Sequence, residues 1–195
     1  MRSRFFQASV AFCPIIDDLY QMAEINVPKD RKDRRVVRNN GAILTAMVEL
    51  MGEKRWVEIT VGDIVDRADV ARSTFYKHFS SKEDVLLASM QPMLCILAQR
   101  EGDLSWRADL DRLLEHYWAN RSLARAVFGG ERASVVERAL RNETFLGMGG
   151  DASIATRQMV AIRMAAGRIA LIREWVKGDI SVKPHIVADA IANCK

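Results

Sequence analysis

Between Thr60 and Val85 the chain reads TVGDIVDRADVARSTFYKHFSSKEDV, two short helical patterns joined by a tight turn. The second pattern interleaves Arg72, Ser73, Thr74, Tyr76, Lys77 and His78 with Phe75 and Phe79. The two phenylalanines are four residues apart, so both point inward, and Thr74, Tyr76, Lys77 and His78 are left outside. Such a helix docks by apolar anchors and offers hydrogen-bond donors to something anionic. A helix-turn-helix that lays its second helix in the major groove of DNA needs that division of labour.

The flanking residues supply start and stop signals. Thr60 with Asp63 three residues later reads as a capping box that uses the shorter acid, and its hydroxyl lies where a passing phosphate could be met. Ile64, Val65 and Ala68 face the core of the helix that follows. Asp69 sits where the turn needs a left-handed residue, a role glycine fills best and aspartate tolerates. Val70 fills the space between the helices, and the second helix begins around Ala71 or Arg72. Ser81 caps the next helix, with Glu83 and Asp84 near its positive end. Lys82, at the same end, is a phosphate candidate.

Upstream, Val37, Ile43, Leu44, Met47, Val48, Leu50 and Met51 recur at spacings of three, four and seven, which predicts an amphipathic helix over 35–51. Gly52 stops it, and Trp56 and Ile59 cover the approach to Thr60. From Lys29 to Arg38 six cations stand against two acids. A solvated lead-in explains such a run, and so does a basic arm reaching phosphates or the adjacent minor groove. On the second reading Arg34 and Arg35 contact the DNA backbone.

Composition restricts the alternatives. At 195 residues and 49% hydrophobic content the chain can bury a packed core, as one large domain or two small ones. A net charge of +4 permits nucleic-acid binding without demonstrating it. Cys13, Cys95 and Cys194 lie far apart without metal-ligand spacing and read as reduced thiols of a cytoplasmic protein, so neither metal nor cofactor is expected. No GxSxG, Walker loop, GxGxxG or HExxH occurs, and His78, His116 and His185 share no local motif, so an enzyme is not expected. Residues 1–28 are read as a loose extension. The apolar run from Val10 to Ile16 is interrupted by Cys13 and Pro14, and no A-x-A cleavage site follows. Met22 is an alternative start. No stretch approaches a membrane span, so no membrane partner is expected.

The pattern T-V-x-x-I-V-x-x-A-x-V-x-R-x-T-F-Y-K-H-F-x-S-K-E-x-V resembles the TetR family of bacterial transcriptional regulators, over about fifty residues from Val37 to Leu87. The chain departs from that family's habit at Asp69, where glycine is usual, and at Ala71, where a hydroxyl cap is usual. The resemblance implies phosphate contacts by Tyr76, His78 and Lys82 with help from Thr60, and places Arg72, Ser73, Thr74 and Lys77 nearest base edges. The chemistry agrees, since Arg or Lys can donate to guanine and Ser or Thr adapt to either base type. It also implies an all-α fold. An N-terminal three-helix helix-turn-helix domain, set at 29–80, precedes a helical ligand-binding and dimerisation domain at 81–195.

The second half carries helical patterns over 81–100, 105–128 with a break near Asn120, 131–145, 153–177 and 184–193. Pro92 should interrupt the first, while Gly129-Gly130, the glycines from Gly147 to Gly150, and Gly178 mark joins. By resemblance the last two helices form a two-fold interface built from Ala165, Ala166, Ile169, Ala170, Leu171, Ile172 and Trp175. The plain alternative makes them intramolecular core. A homodimer would hold two recognition helices about 34 Å apart over a near-palindromic operator. A small-molecule effector would act by favouring a spacing that no longer matches. Met90, Met93, Leu94, Leu97, His116, Tyr117, Trp118, Phe128, Phe145 and Met148 are candidates to line its pocket, and equally ordinary core. The expected function is a sequence-specific, ligand-responsive repressor acting on double-stranded DNA. The alternative is an adaptor or coactivator of the same kind that works mainly through a protein partner.

Overall fold

The structure, a computed structural model, describes residues 31–99, 104–149 and 151–193, with side chains from Arg35 onward. The expected loose extension at 1–28, Cys13, Cys194 and the side chain of Arg34 lie outside the described residues. Every regular element among the described residues is helical, so the fold is all-α. The chain divides into two compact units, Met1–Pro92 and Met93–Lys195.

In the first unit α1 (Arg31–Glu53) is followed by a 3-10 turn (Trp56–Glu58), α2 (Val61–Arg67), α3 (Arg72–Tyr76) and α4 (Lys82–Ser89). Helix α1 starts four residues earlier than the apolar stripe predicts. Arg and Lys are good helix formers and need no core contact to continue a helix, so the basic stretch from Arg31 is helical. Ile43, Leu44, Met47, Leu50 and Met51 turn inward with Ile59, Ile64, Val65 and Phe75, each at most 4% exposed. Helix α4 adds the fully buried Val85 and Leu86 to that unit. Its burial against α1 places it with the N-terminal helices rather than with the domain drawn at 81–195. Arg67 ties α2 to α1 through Glu49 at 3.2 Å and Glu53 at 2.7 Å. At the surface solvent and salt screen such pairs, so they orient the two helices more than they stabilise them.

The second unit takes in most of α5 (Gln91–Ala98), then α6 (Leu104–Ala119), α7 (Arg121–Phe128), α8 (Gly130–Gly147), α9 (Ile154–Lys177) and α10 (Pro184–Asn193). Pro92 separates α4 from α5, as its missing N–H requires. Helix α9 packs on α8 and α7, and α10 on α6. The buried Arg168 of α9 donates to the carbonyls of Leu97 and Gln99 and so caps the free end of α5. Arg107 joins α6 to α10 through Asp189 at 2.7 Å. Ser153 caps α9 by accepting from the Thr156 N–H.

The join between α7 and α8 depends on glycine. Gly130 has φ +56°, and a Cβ at Gly129 would stand 2.6 Å from the carbonyl oxygen of Arg125. That neighbour is backbone and cannot swing aside. Gly129→Ala should therefore lower stability by about 1–3 kcal/mol, the usual range for forced overpacking, measured as a drop in thermal midpoint against Gly52→Ala, whose Cβ meets nothing within 4 Å.

Candidate nucleic-acid interface

The recognition surface is built on α3, which is only five residues long. Its anchor is Phe75, fully buried, with the half-buried Phe79 ring 5.8 Å away. Tyr76 meets the edge of Phe75 at 5.3 Å yet leaves 57% of itself exposed. Ser73 and Lys77 are exposed, and Thr74 and His78 are half-buried. Desolvation, then the neighbouring Lys77, lowers the His78 pKa, so the ring is neutral near pH 7 and can donate a single N–H.

The turn before α3 carries strain. Asp69 has φ +51°, the left-handed conformation that the sequence pattern assigns to it. Ala71 occupies the N-cap of α3 with no side-chain hydrogen bond. The Thr74 and Phe75 N–H groups both use the Ala71 carbonyl, so α3 begins at Arg72 without the help of a hydroxyl.

Helix α2 is capped as its sequence predicts. The Thr60 N–H and hydroxyl both donate to Asp63 Oδ2, at 2.8 and 2.7 Å, and the Asp63 N–H donates back to Thr60 Oγ1. Lys54 donates to the other carboxylate oxygen at 2.7 Å. Lys54, then Thr60, holds the Asp63 carboxyl far below the usual range. Both Thr60 donors are thus directed to Asp63, and a phosphate would have to compete for an occupied hydroxyl. A Cβ on Gly62 would meet Arg72 Nη2 at 3.2 Å and Thr60 Oγ1 at 3.3 Å, so the Arg72 guanidinium reaches back beside the start of α2. Arg35 is exposed on the first turns of α1.

Lys82 departs furthest from its expected role. Its ammonium donates to the carbonyls of Trp56 and Ile59, both at 2.8 Å, and lies 4.5 Å from the centroid of the Trp56 ring. Two of its three N–H groups therefore hold the segment that leads into α2. Lys54 and Gly62 also shape this surface, and neither stands out in the sequence. Lys54 is one cation among many near α1, and the closeness of Gly62 to Arg72 appears only in the folded chain.

In the second unit the expected interface and pocket residues are redistributed. Ala165, Ile169, Ile172 and Trp175 are at most 1% exposed within one chain and cannot meet a partner. Trp175 stacks on Trp118 of α6 at 5.2 Å. Ala166, Ala170 and Leu171 remain half-buried. Of the pocket candidates, Met93, Leu94, Leu97, Tyr117, Phe128 and Met148 are buried in this unit, whereas His116, Trp118 and Phe145 are half-buried. Met90 is buried in the first unit instead.

Two substitutions probe the surface. Lys82→Ala should cost about 1–3 kcal/mol of stability, because hydrogen bonds from a charged donor are lost and two carbonyls are left bare; an unchanged melting curve would return Lys82 to a purely phosphate-facing role. Ala71→Ser should restore the cap and stabilise by about 1 kcal/mol, read as a higher thermal midpoint.

With this geometry in hand, comparison with known proteins is direct. Residues 43–89 match the model of the bacterial regulatory proteins of the tetR family. The HTH-type transcriptional regulator EthR of Mycobacterium tuberculosis is 30% identical over 131 residues, 59% of this chain and 60% of that protein. The uncharacterized HTH-type transcriptional regulator YxbF of Bacillus subtilis is 37% identical over 71 residues, 33% of this chain and 19% of that protein. The chain thus spans less than two thirds of the length of these relatives. A solved TetR transcriptional regulator from Streptococcus agalactiae shares the fold, with TM-score 0.54 and 20% identity over 83% of this chain and 95% of that one. The capped α2, the left-handed turn and the Phe75-anchored α3 thus lie in a segment that matches the bacterial regulatory proteins of the tetR family, within a chain whose all-α fold a TetR transcriptional regulator shares.

Proposed function

We propose that the chain is a ligand-responsive repressor that binds a near-palindromic operator in double-stranded DNA as a homodimer. The observation that carries the DNA reading is the set of exposed donors Ser73, Tyr76 and Lys77 on a helix fixed from behind by Phe75. Lys77 suits a guanine edge and Ser73 either base, with Thr74 partly withdrawn. Tyr76 and the neutral His78 are placed for phosphates. The turned-back Arg72 suits a phosphate at the start of α2 better than a base edge. Arg34 and Arg35 supply sequence-independent attraction from the start of α1.

A dimer face is supported on the outer side of α9. There Met159 is 63% exposed and Ile162 48%, and Ala166 and Ala170 continue the same side at three- and four-residue spacing. Ile186 of α10, which packs beside α9, is 45% exposed. Small residues let two such helices approach closely, and an isologous interface needs only one patch of this kind. Effector control is proposed for the second unit. Its ligand must bind one spacing of the paired DNA-binding heads better than the other.

One observation favours a second reading. An uncapped α3 entered through a strained Asp69 suits weak direct binding, as in an adaptor that engages DNA through another protein.

Fluorescence anisotropy with the gene's own upstream DNA, a shuffled duplex and two salt concentrations separates the readings. Selective binding that weakens steeply with salt supports the repressor; equal binding to both duplexes, or none, supports the adaptor. Ile162→Glu should convert the dimer to monomers by light scattering, because it buries an unpaired charge at the proposed interface. A persisting dimer places the interface elsewhere.

A further inference from the structure

Helix α8 turns one stripe inward. Its buried residues are Arg132, Ala133, Val136, Leu140 and Thr144, the spacing of a single helical face. Ala133, Val136 and Leu140 are ordinary core, and Thr144 satisfies itself by donating to the Leu140 carbonyl at 2.7 Å. Arg132 is different. It is 9% exposed, and its Nη1 is wholly buried with no hydrogen-bond partner. No carboxylate offsets it among the described residues, and burial alone holds its pKa below the ordinary arginine range.

The contrast with neighbouring arginines is informative. Arg121 donates to the carbonyls of Trp175 and Val176, Arg157 to that of Met148, and Arg168 to those of Leu97 and Gln99. Each of those guanidinium groups has backbone to hold. Arg132 has none, and its Nη1 is left buried without a partner, although burying an unpaired polar group is disfavoured. A second idle donor of this unit lies on α6: Tyr117 is 8% exposed and its hydroxyl has no partner. Phe128 stands next to one of them in space and to the other along the chain. The Tyr117 ring lies 5.2 Å from it, and Arg132 follows it by four residues across the Gly129–Gly130 turn.

We infer that Arg132 is the anchor for an effector that carries a carboxylate on a largely apolar body, with the Tyr117 hydroxyl as a second donor. This rests on the ligand-responsive reading above and names the chemistry of that ligand. One guanidinium matches a monoanion in charge and in its paired donors. The fully buried Phe128, Val136 and Leu140 call for hydrocarbon beyond the acid group. The ligand supplies the acceptor that the folded chain withholds, so its binding relieves the uncompensated charge.

The test uses the full chain, with octanoate, benzoate and phenylacetate as probes beside the neutral octan-1-ol and benzyl alcohol. Thermal melting and DNA anisotropy are read for wild type, Arg132→Met, Arg132→Lys and Tyr117→Phe. At least one carboxylate should raise the wild-type midpoint and weaken DNA binding, acting at a concentration at least tenfold lower than its neutral partner. Arg132→Met should lose that response and, without ligand, melt above wild type, because an unpaired buried charge has been removed; Arg132→Lys should keep a weakened response. Tyr117→Phe should weaken it without lowering the ligand-free midpoint. Carboxylates that act equally on wild type and Arg132→Met, or that never act, overturn the assignment, as does a ligand-free Arg132→Met that melts below wild type. If the neutral alcohols alone act, on wild type and Arg132→Met alike, the Arg132 assignment fails while ligand-responsiveness stands.

Discussion

A helix of five residues has no stability of its own, so the proposed DNA-reading surface exists only because Phe75 is sunk into the core of the first unit. Burying a phenylalanine side chain contributes about 1.5–3 kcal/mol, comparable with the cost of fixing one or two residues of backbone. The remaining order in α3 must come from its neighbours. Asp69 accepts the left-handed conformation, the Val70 N–H donates to the Val65 carbonyl, and the Ala71 carbonyl receives the N–H groups of Thr74 and Phe75. Each donor on the outer face of α3 is placed by what lies behind it.

The approach to that surface is held by charged groups acting on backbone. Lys82 gathers the carbonyls of Trp56 and Ile59, and Asp63 gathers the N–H and hydroxyl of Thr60 together with Lys54. The two clusters grip either end of the short path from the 3-10 turn into α2. The same sign logic that makes cations attractive to DNA also makes them useful inside the protein, because carbonyls at the end of a turn are anionic in the same partial way. Lys82 shows that a cation in a DNA-binding motif can be spent on the fold.

Much of the first unit was legible in the sequence. The capping box at Thr60, the cap at Ser81, the inward Phe75 and the left-handed Asp69 all follow from local chemistry, where the cause and the effect are within four residues. The helix boundaries of the second half were legible for the same reason, with Pro92, Gly129 and Gly178 as punctuation. What could not be read was direction over long separations. The stripe Ala165, Ile169, Ile172 and Trp175 has the periodicity of any apolar helix face, and nothing in it says whether another helix of the same chain or of a second chain will cover it. Lys82 is a comparable case, since its partners are carbonyls more than twenty residues away and carry no side-chain signature. Arg132 was invisible because its distinction is the partner it lacks.

Helix α9 serves two masters along its 24 residues. Its inner positions are close-packed, and a change of volume there alters the fold. Of its outer positions, Met159 and Ile162 are exposed, and Ala166 and Ala170 are half-buried. Related chains in one cell could therefore diverge at these four sites and stop recognising each other while keeping identical cores. If the proposed dimer face is used, identity of partner and identity of fold are written on opposite sides of one helix, and the two can drift at different rates.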